Sequence, residues 1–269
     1  MRMIEWVMLL VTMSLLAGLI FGTGVEAQES KWLDSSQLSR GIISISYPVK
    51  KNIKTKLMIV KGNDRYTYTL SSGEKKESFP LQMDNGKYDV YVLEHVSGNS
   101  YKRVESGEVT LKLKSSNTVF LNSIQNVNWT KESKAVIKAK ELTKSMKTDE
   151  EKVKAIYNFV YKTIKYDSKL AANVSNDYLP DIDRTLHLKK DICYGYASLF
   201  AAMLRSQQIP TKIIMGESSY VKVYHAWNEV YLKGKWVIID TTVDASLLKV
   251  NKKFSMIKDS SKYKAAKVY

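Results

Sequence analysis

The sequence holds one cysteine and three histidines in 269 residues, and its 27 acidic residues are outnumbered by 42 basic ones. Each scarcity excludes something. A lone cysteine cannot close an intrachain disulfide, so packing must supply the stability. One thiol and three scattered imidazoles form no metal-ligand cluster of recognisable spacing, and no metal or other cofactor is expected. Long hydrophobic runs are also missing. The apolar stretch from Val7 to Phe21 is about 15 residues, shorter than the ~20 a spanning helix needs. No internal repeat or long low-complexity tract is present, and 44% hydrophobic residues suffice for one good core or two smaller ones.

What is present begins with the leader. Arg2, the apolar run and the small-residue site Val25-Glu26-Ala27 read as a secretory signal peptide over residues 1–27, with no stable membrane span once it is cleaved. The formal charge of +15 loses one basic residue (Arg2) and two acidic ones (Glu5, Glu26) with that leader, which leaves +16. An exported chain this basic is expected outside the cell or on a Gram-positive-like wall, drawn to anionic wall polymers or acidic proteins. Its lysines are dispersed, with no basic tract interleaved with aromatics, so nucleic acid is not an expected partner. Export also gives the single Cys193 meaning: in an oxidising compartment an unpaired thiol is either functional or buried and inert.

Residues 28–128 read as an antiparallel β-sandwich. Alternating runs GIISISY, TKLMIV, RYTYTL, KYDVYVLE, GEVTLKL and NTVFLNSI are separated by turn signals at Gly62-Asn63-Asp64, Ser72-Gly73, Asp84-Asn85-Gly86 and Ser97-Gly98-Asn99. His95 has no evident partner there. Near Trp129 the hydrophobic period changes from 2 to 3.6, so 129–269 reads as a second domain. Thr148 to Glu151 fits a capping box before a helix burying Val153, Ile156, Tyr157, Val160, Tyr161 and Ile164. A loop is expected from Tyr166 to Asp183. A helix then starts at Cys193 and ends near Gln207, and strands follow around 212–215, 223–232 and 236–241, the last two joined by a tight turn at Lys233-Gly234.

Cys193 therefore lies at a helix amino end, where free N–H groups and the helix dipole favour a thiolate. A nucleophilic thiol needs a base. His187, in LHLKK, reads as surface, whereas His225 lies on the hairpin. Pairing Leu232 with Lys235 and continuing that register sets His225 opposite Thr242, with Asp240 and Asp244 on its two diagonals. Either acid could orient the imidazole, and spacing does not choose between them. Trp227 shares the face of His225 by strand parity, whereas Trp236 follows the turn. Tyr178 is a candidate oxyanion donor.

The blocks ICYGYASLFAAMLRSQQIPTK, YHAWNEVYLKGKW and IIDTT resemble those of bacterial secreted transglutaminase-like proteins, over roughly Glu151 to Asp244. The resemblance implies a papain-like triad of Cys193, His225 and Asp240, which selects Asp240 as the acid, in an α+β fold whose Cys-bearing helix packs on an antiparallel sheet. It implies acyl transfer from a protein or peptide substrate, with peptidase or amidase activity favoured over cross-linking. A wall-binding scaffold that keeps the fold without turnover is the competing class. This sequence departs from the pattern at Asp191, where relatives often have Gly, and at Thr241 and Val243, where Pro and Trp are frequent. A carboxylate at 191 is expected to oppose thiolate formation by repulsion.

Overall fold

The structure is a computed structural model that describes residues 31–269. The leader read over 1–27 lies outside the described residues. In the first half, strands β1 (Leu33–Asp34), β2 (Ile42–Ser46), β3 (Thr55–Lys61), β4 (Asp64–Thr69), β5 (Lys76–Pro80), β6 (Gly86–Ser97) and β7 (Ser100–Leu111) form two antiparallel sheets, ordered β1-β2-β5 and β4-β3-β6-β7. The alternation that marked the strands is the alternation of burial. Leu57 and Ile59 on β3, and Tyr88, Val90 and Val92 on β6, point inward against Ile43 and Ile45 of β2 and Phe79 of β5. Two sheets, each apolar on one face, thus close one core.

Two parts of the strand reading need correction. NTVFLNSI is not a strand: Ser116–Leu121 is a 3-10 turn. Adjacent Val119 and Phe120 are both buried, which a strand with opposite-facing neighbours cannot do on a one-sided sheet. The buried Asn122 amide holds the turn by donating to the carbonyls of Arg40, Thr118 and Val119. The strand that pairs with β2 is instead β5, in the charged stretch KESFP, where Ile42 faces Pro80.

The second half runs α1 (Lys134–Thr143), α2 (Asp149–Thr163), β8 (Lys165–Tyr166), α3 (Ser168–Asn173), α4 (Ile182–Leu188), β9 (Lys190–Asp191), α5 (Cys193–Ser206), β10 (Thr211–Ser218), β11 (Val221–Leu232), β12 (Lys235–Ile239), α6 (Thr241–Lys249) and β13 (Tyr263–Val268). The expected capping box is present: Thr148 Oγ1 accepts from Glu151 N, and the Glu151 carboxylate accepts from Thr148 N. The expected loop 166–183 carries helix α3, capped by Asp167, and the start of α4, capped by Asp181. Every residue of α5 from Gly195 to Arg205 is buried. The helix lies between α1, α2 and α4 and an antiparallel sheet of order β12-β11-β10-β13. The molecule is α+β, and the sheet that receives α5 also receives the chain's last strand, β13, which the sequence reading missed.

The Arg205 guanidinium at the end of α5 is wholly buried without a carboxylate. It donates to Thr211 O at 2.8 Å, Asn122 O at 2.8 Å and Tyr269 O at 3.1 Å. One side chain thereby ties the helix, the 3-10 turn after the first core and the final residue together. Arg205→Ala should take this donor from the buried contacts to Thr211 O and Asn122 O, while Tyr269 O keeps Ile213 N, so denaturant unfolding should report a loss of about 2 kcal/mol or more. A loss below about 1 kcal/mol would mean that other donors serve those carbonyls.

Candidate active site

The helix that carries the thiol has no side-chain cap: its N-cap is Ile192, an extended residue that offers no acceptor. The first-turn N–H groups of α5 therefore remain available beside the half-buried Cys193 thiol. His225 stands on β11, 3% exposed, and its Nε2 lies 2.8 Å from Asp240 Oδ2. Cys193 and His225 line the same cleft, and with Nε2 committed to Asp240 it is Nδ1 that is left to turn towards the thiol. Burial pulls the imidazole down, but the hydrogen bond to Asp240 and the charges of Asp240 and the nearby Cys193 outweigh it and push His225 up to about 10. All three residues named from the sequence are thus brought together.

The hairpin closes as expected, with Leu232 opposite Lys235, but the ladder stops at the Asn228–Ile239 pair. His225 therefore never faces Thr242, and the register assumed for the acids does not extend that far. The reason is Asp240 itself. Its Oδ1 accepts from Val243 N at 3.0 Å and starts helix α6, so the chain leaves the sheet one residue after Ile239. Asp244 then lies a helical turn further on, where it accepts from Tyr157 Oη at 2.8 Å and from the Lys258 ammonium. It does not serve His225.

Asp240 Oδ2 also accepts from Tyr263 Oη at 3.0 Å. Burial and then the Asp240 charge push the Tyr263 phenol far up, so it stays a neutral donor. Sequence reasoning missed Tyr263; the only signal was one more short run of strand character at the carboxyl end. Trp227 is stacked with His225, ring centroids 6.2 Å apart, and Tyr263 packs against Trp227 at 4.9 Å. A cleft of about 310 Å³ opens beside Cys193 and His225, walled by Tyr166, Tyr220, Val221, Val223, Val243 and Leu247.

The other candidates fall elsewhere. Tyr178 is no free oxyanion donor: its hydroxyl donates to Asp191 Oδ1 at 2.7 Å and accepts from Arg184 at 2.9 Å. His187 is exposed in the last turn of α4. His95 contacts Gly98 O across its own hairpin. Trp236 packs edge-on to Phe120, with the Lys212 ammonium 4.0 Å above its ring.

Asp191 is fully buried, and its carboxylate accepts from Ile192 N (2.8 Å), Thr185 Oγ1 (2.6 Å), Tyr178 Oη (2.7 Å) and Arg184 Nη2 (3.2 Å). It lies so close to Gly195 that a Cβ there would come within 2.1 Å of the Asp191 carboxyl carbon. The carboxylate is a clamp on the first turn of α5, paired with its own cation, and so it does not act as a bare charge against the thiol. Asp191→Ala should cost about 3 kcal/mol in denaturant unfolding, through the donors it strands, and should slow iodoacetamide labelling of Cys193. Faster labelling would restore the repulsive role expected from the sequence.

Against known proteins, residues 138–241 match the family model of the transglutaminase-like superfamily. The kyphoscoliosis peptidase of Homo sapiens is 30% identical over 128 residues, which are 44% of this chain and 19% of that protein. The chain thus spans about a fifth of the length of this curated relative. Among solved structures, the crystal structure of a TGase aligns at 26% identity and a TM-score of 0.36, covering 44% of this chain and 34% of the other. The periplasmic domain of TgpA from Pseudomonas aeruginosa aligns at 13% identity and 0.39, covering 78% and 71%. The matched residues 138–241 hold the Cys-bearing helix α5 and strands β10, β11 and β12 of the sheet that packs on it, and this part of the chain is similar to the transglutaminase-like core.

Proposed function

We propose that the protein is a thiol acyl-transfer enzyme acting on peptide or carboxamide bonds, with Cys193 as nucleophile, His225 as acid and base, and Asp240 as the carboxylate that orients it. One observation carries this reading: a buried imidazole, hydrogen-bonded on one nitrogen to a buried carboxylate, lines the same cleft as a thiol at an uncapped helix amino end.

The chemistry follows from the positions. The Cys193 sulfur, as thiolate, attacks the substrate carbonyl carbon and a C–S bond forms. The carbonyl oxygen takes negative charge near the free N–H groups at the start of α5. As the tetrahedral adduct collapses, the C–N bond breaks and the His225 imidazolium gives its proton to the departing amine. A thioester remains. Water, deprotonated by His225, then attacks it and releases the acid and the thiol. An amine in place of water would give a cross-link through the same groups. Hydrolysis is the favoured outcome, because the cleft is open at a rim of exposed Tyr220 and Val223 that leaves the thioester within reach of water.

Two measurements test the assignment. Cys193→Ala should abolish release of a fluorogenic amide while keeping a cooperative melt. Asp240→Asn should lower turnover by orders of magnitude, and Asp244→Asn should cost stability through Tyr157 and Lys258 yet retain turnover per folded molecule. The reverse ranking of the two acids would sink the reading. The second measurement is the pH profile. A base whose folded pKa is raised keeps its proton below that value and loses it above, so turnover should hold through pH 8 to 9 and fall with a midpoint near 10. An alkaline limb near 6.5, the ordinary imidazole value, would show that Asp240 and Cys193 do not jointly hold the ring.

A further inference from the structure

We propose that the site selects peptides carrying an apolar or aromatic side chain beside acidic residues, with the cleft at Cys193 holding the former and Lys165, Lys169, Lys189 and Lys190 the latter. This rests on the acyl-transfer reading and adds a substrate class to it.

Tyr166 joins the two parts, since its ring forms a wall both of the cleft beside Cys193 and of an adjoining depression of about 580 Å³ lined by the four lysines. The lysines converge because β8 and β9 pair in parallel: Lys165 lies opposite Lys190, Tyr166 lies opposite Asp191, and Lys165 N donates to Lys189 O at 2.8 Å. Asp191 is two residues before Cys193, so the basic arm is fixed to the segment that sets the thiol. All four lysines are exposed. Lys190 is paired with Asp167 at 3.2 Å. Among the described residues, Lys165, Lys169 and Lys189 have no carboxylate partner, so the depression keeps an excess of positive charge.

The two parts differ in what they can contribute. Val223 is 65% exposed, Tyr220 45% and Tyr166 43%, so an apolar side chain entering the cleft removes both its own surface and theirs from water. Exposed cations contribute little each and are screened beyond about 8 Å at physiological ionic strength. The cleft therefore anchors, and the lysines grade one peptide against another.

The test uses dye-labelled heptapeptides with a central Phe flanked on either side by Glu, Gln or Lys. Binding is read by anisotropy on the Cys193→Ala protein, so that no turnover intervenes. The Glu peptide should bind about tenfold tighter than the Lys peptide at low salt, and the gap should close as salt rises. Lys165→Glu/Lys189→Glu should remove the preference, whereas Lys112→Glu/Lys114→Glu, on the first half of the chain, should keep it. Equal affinity for Glu and Lys peptides overturns the proposal. So does an anionic polymer such as polyphosphate that binds through the same lysines while the peptides do not. Preference in binding with no turnover by the wild-type protein would keep the subsite and sink the acyl-transfer reading; turnover without preference would do the opposite.

Discussion

The Asp240 carboxylate stands where a strand ends and a helix begins, and both of its oxygens are committed. Oδ1 caps α6 through Val243 N, while Oδ2 takes His225 Nε2 and Tyr263 Oη. A side chain held on one oxygen by a backbone N–H cannot rotate without uncapping its helix, a cost of about 1 kcal/mol for a typical cap. The other oxygen is therefore presented to the imidazole at a fixed angle. A fully buried carboxylate also has to be compensated, and here the compensation is the ring that faces the thiol. The helix, the tautomer of His225 and the proton held there follow from the same atom pair.

This junction also explains how far the site could be read from the sequence. The hairpin at Lys233-Gly234 was legible because a two-residue turn fixes register for its neighbours, and Leu232 does face Lys235. Extending that register to Thr242 failed because a side chain, not a turn signal, ended the ladder. Asp240 is an N-cap residue type, yet it follows the continuous apolar run WVII, whose β-branched strand character hid the cap. Similar competition explains the fold-level misses. Val119-Phe120 looked like strand until the Asn122 amide is seen holding three carbonyls. β5 is too polar in sequence to announce itself, because it borrows its inward face from Phe79 and pairs with a strongly apolar β2. The helix start at Cys193 and the capping box at Thr148 were legible from local spacing, whereas the pairing of His225 with Asp240 came from the family resemblance, because the register that set them on a diagonal ends at Asn228.

The three buried carboxylates near the site are each neutralised in a different way. Asp191 has Arg184 and three neutral donors, Asp244 has Lys258 and Tyr157, and Asp240 has His225 and Tyr263. Asp191 and Asp244 carry their own permanent cations, so neither competes for the imidazole proton. Only the carboxylate next to the ring lacks a Lys or Arg, and only there is the countercharge one that can be given away. The departure at Asp191 thus fits the site because the side chain brought its own counterion.

The carboxyl-terminal strand supplies the remaining constraint. At Gly216 the strand β10 lies between His225 of β11 and Ala265 of β13, and a Cβ at Gly216 would sit 2.1 Å from Lys264 O. Only glycine lets the β13 backbone pass that close, and the register shift between Met215 and Gly216 brings Tyr263 alongside Asp240 and Trp227. The same strand ends in Tyr269, whose ring packs against Tyr66 and Tyr68 of the first core and whose carbonyl receives Arg205 and Ile213 N. A displacement of β13 would therefore be felt at both cores and at the carboxylate behind His225, since the donor to Asp240 and the anchor to the first core are six residues apart on one strand. The sandwich, which carries no candidate catalytic group, is coupled to the site through that strand.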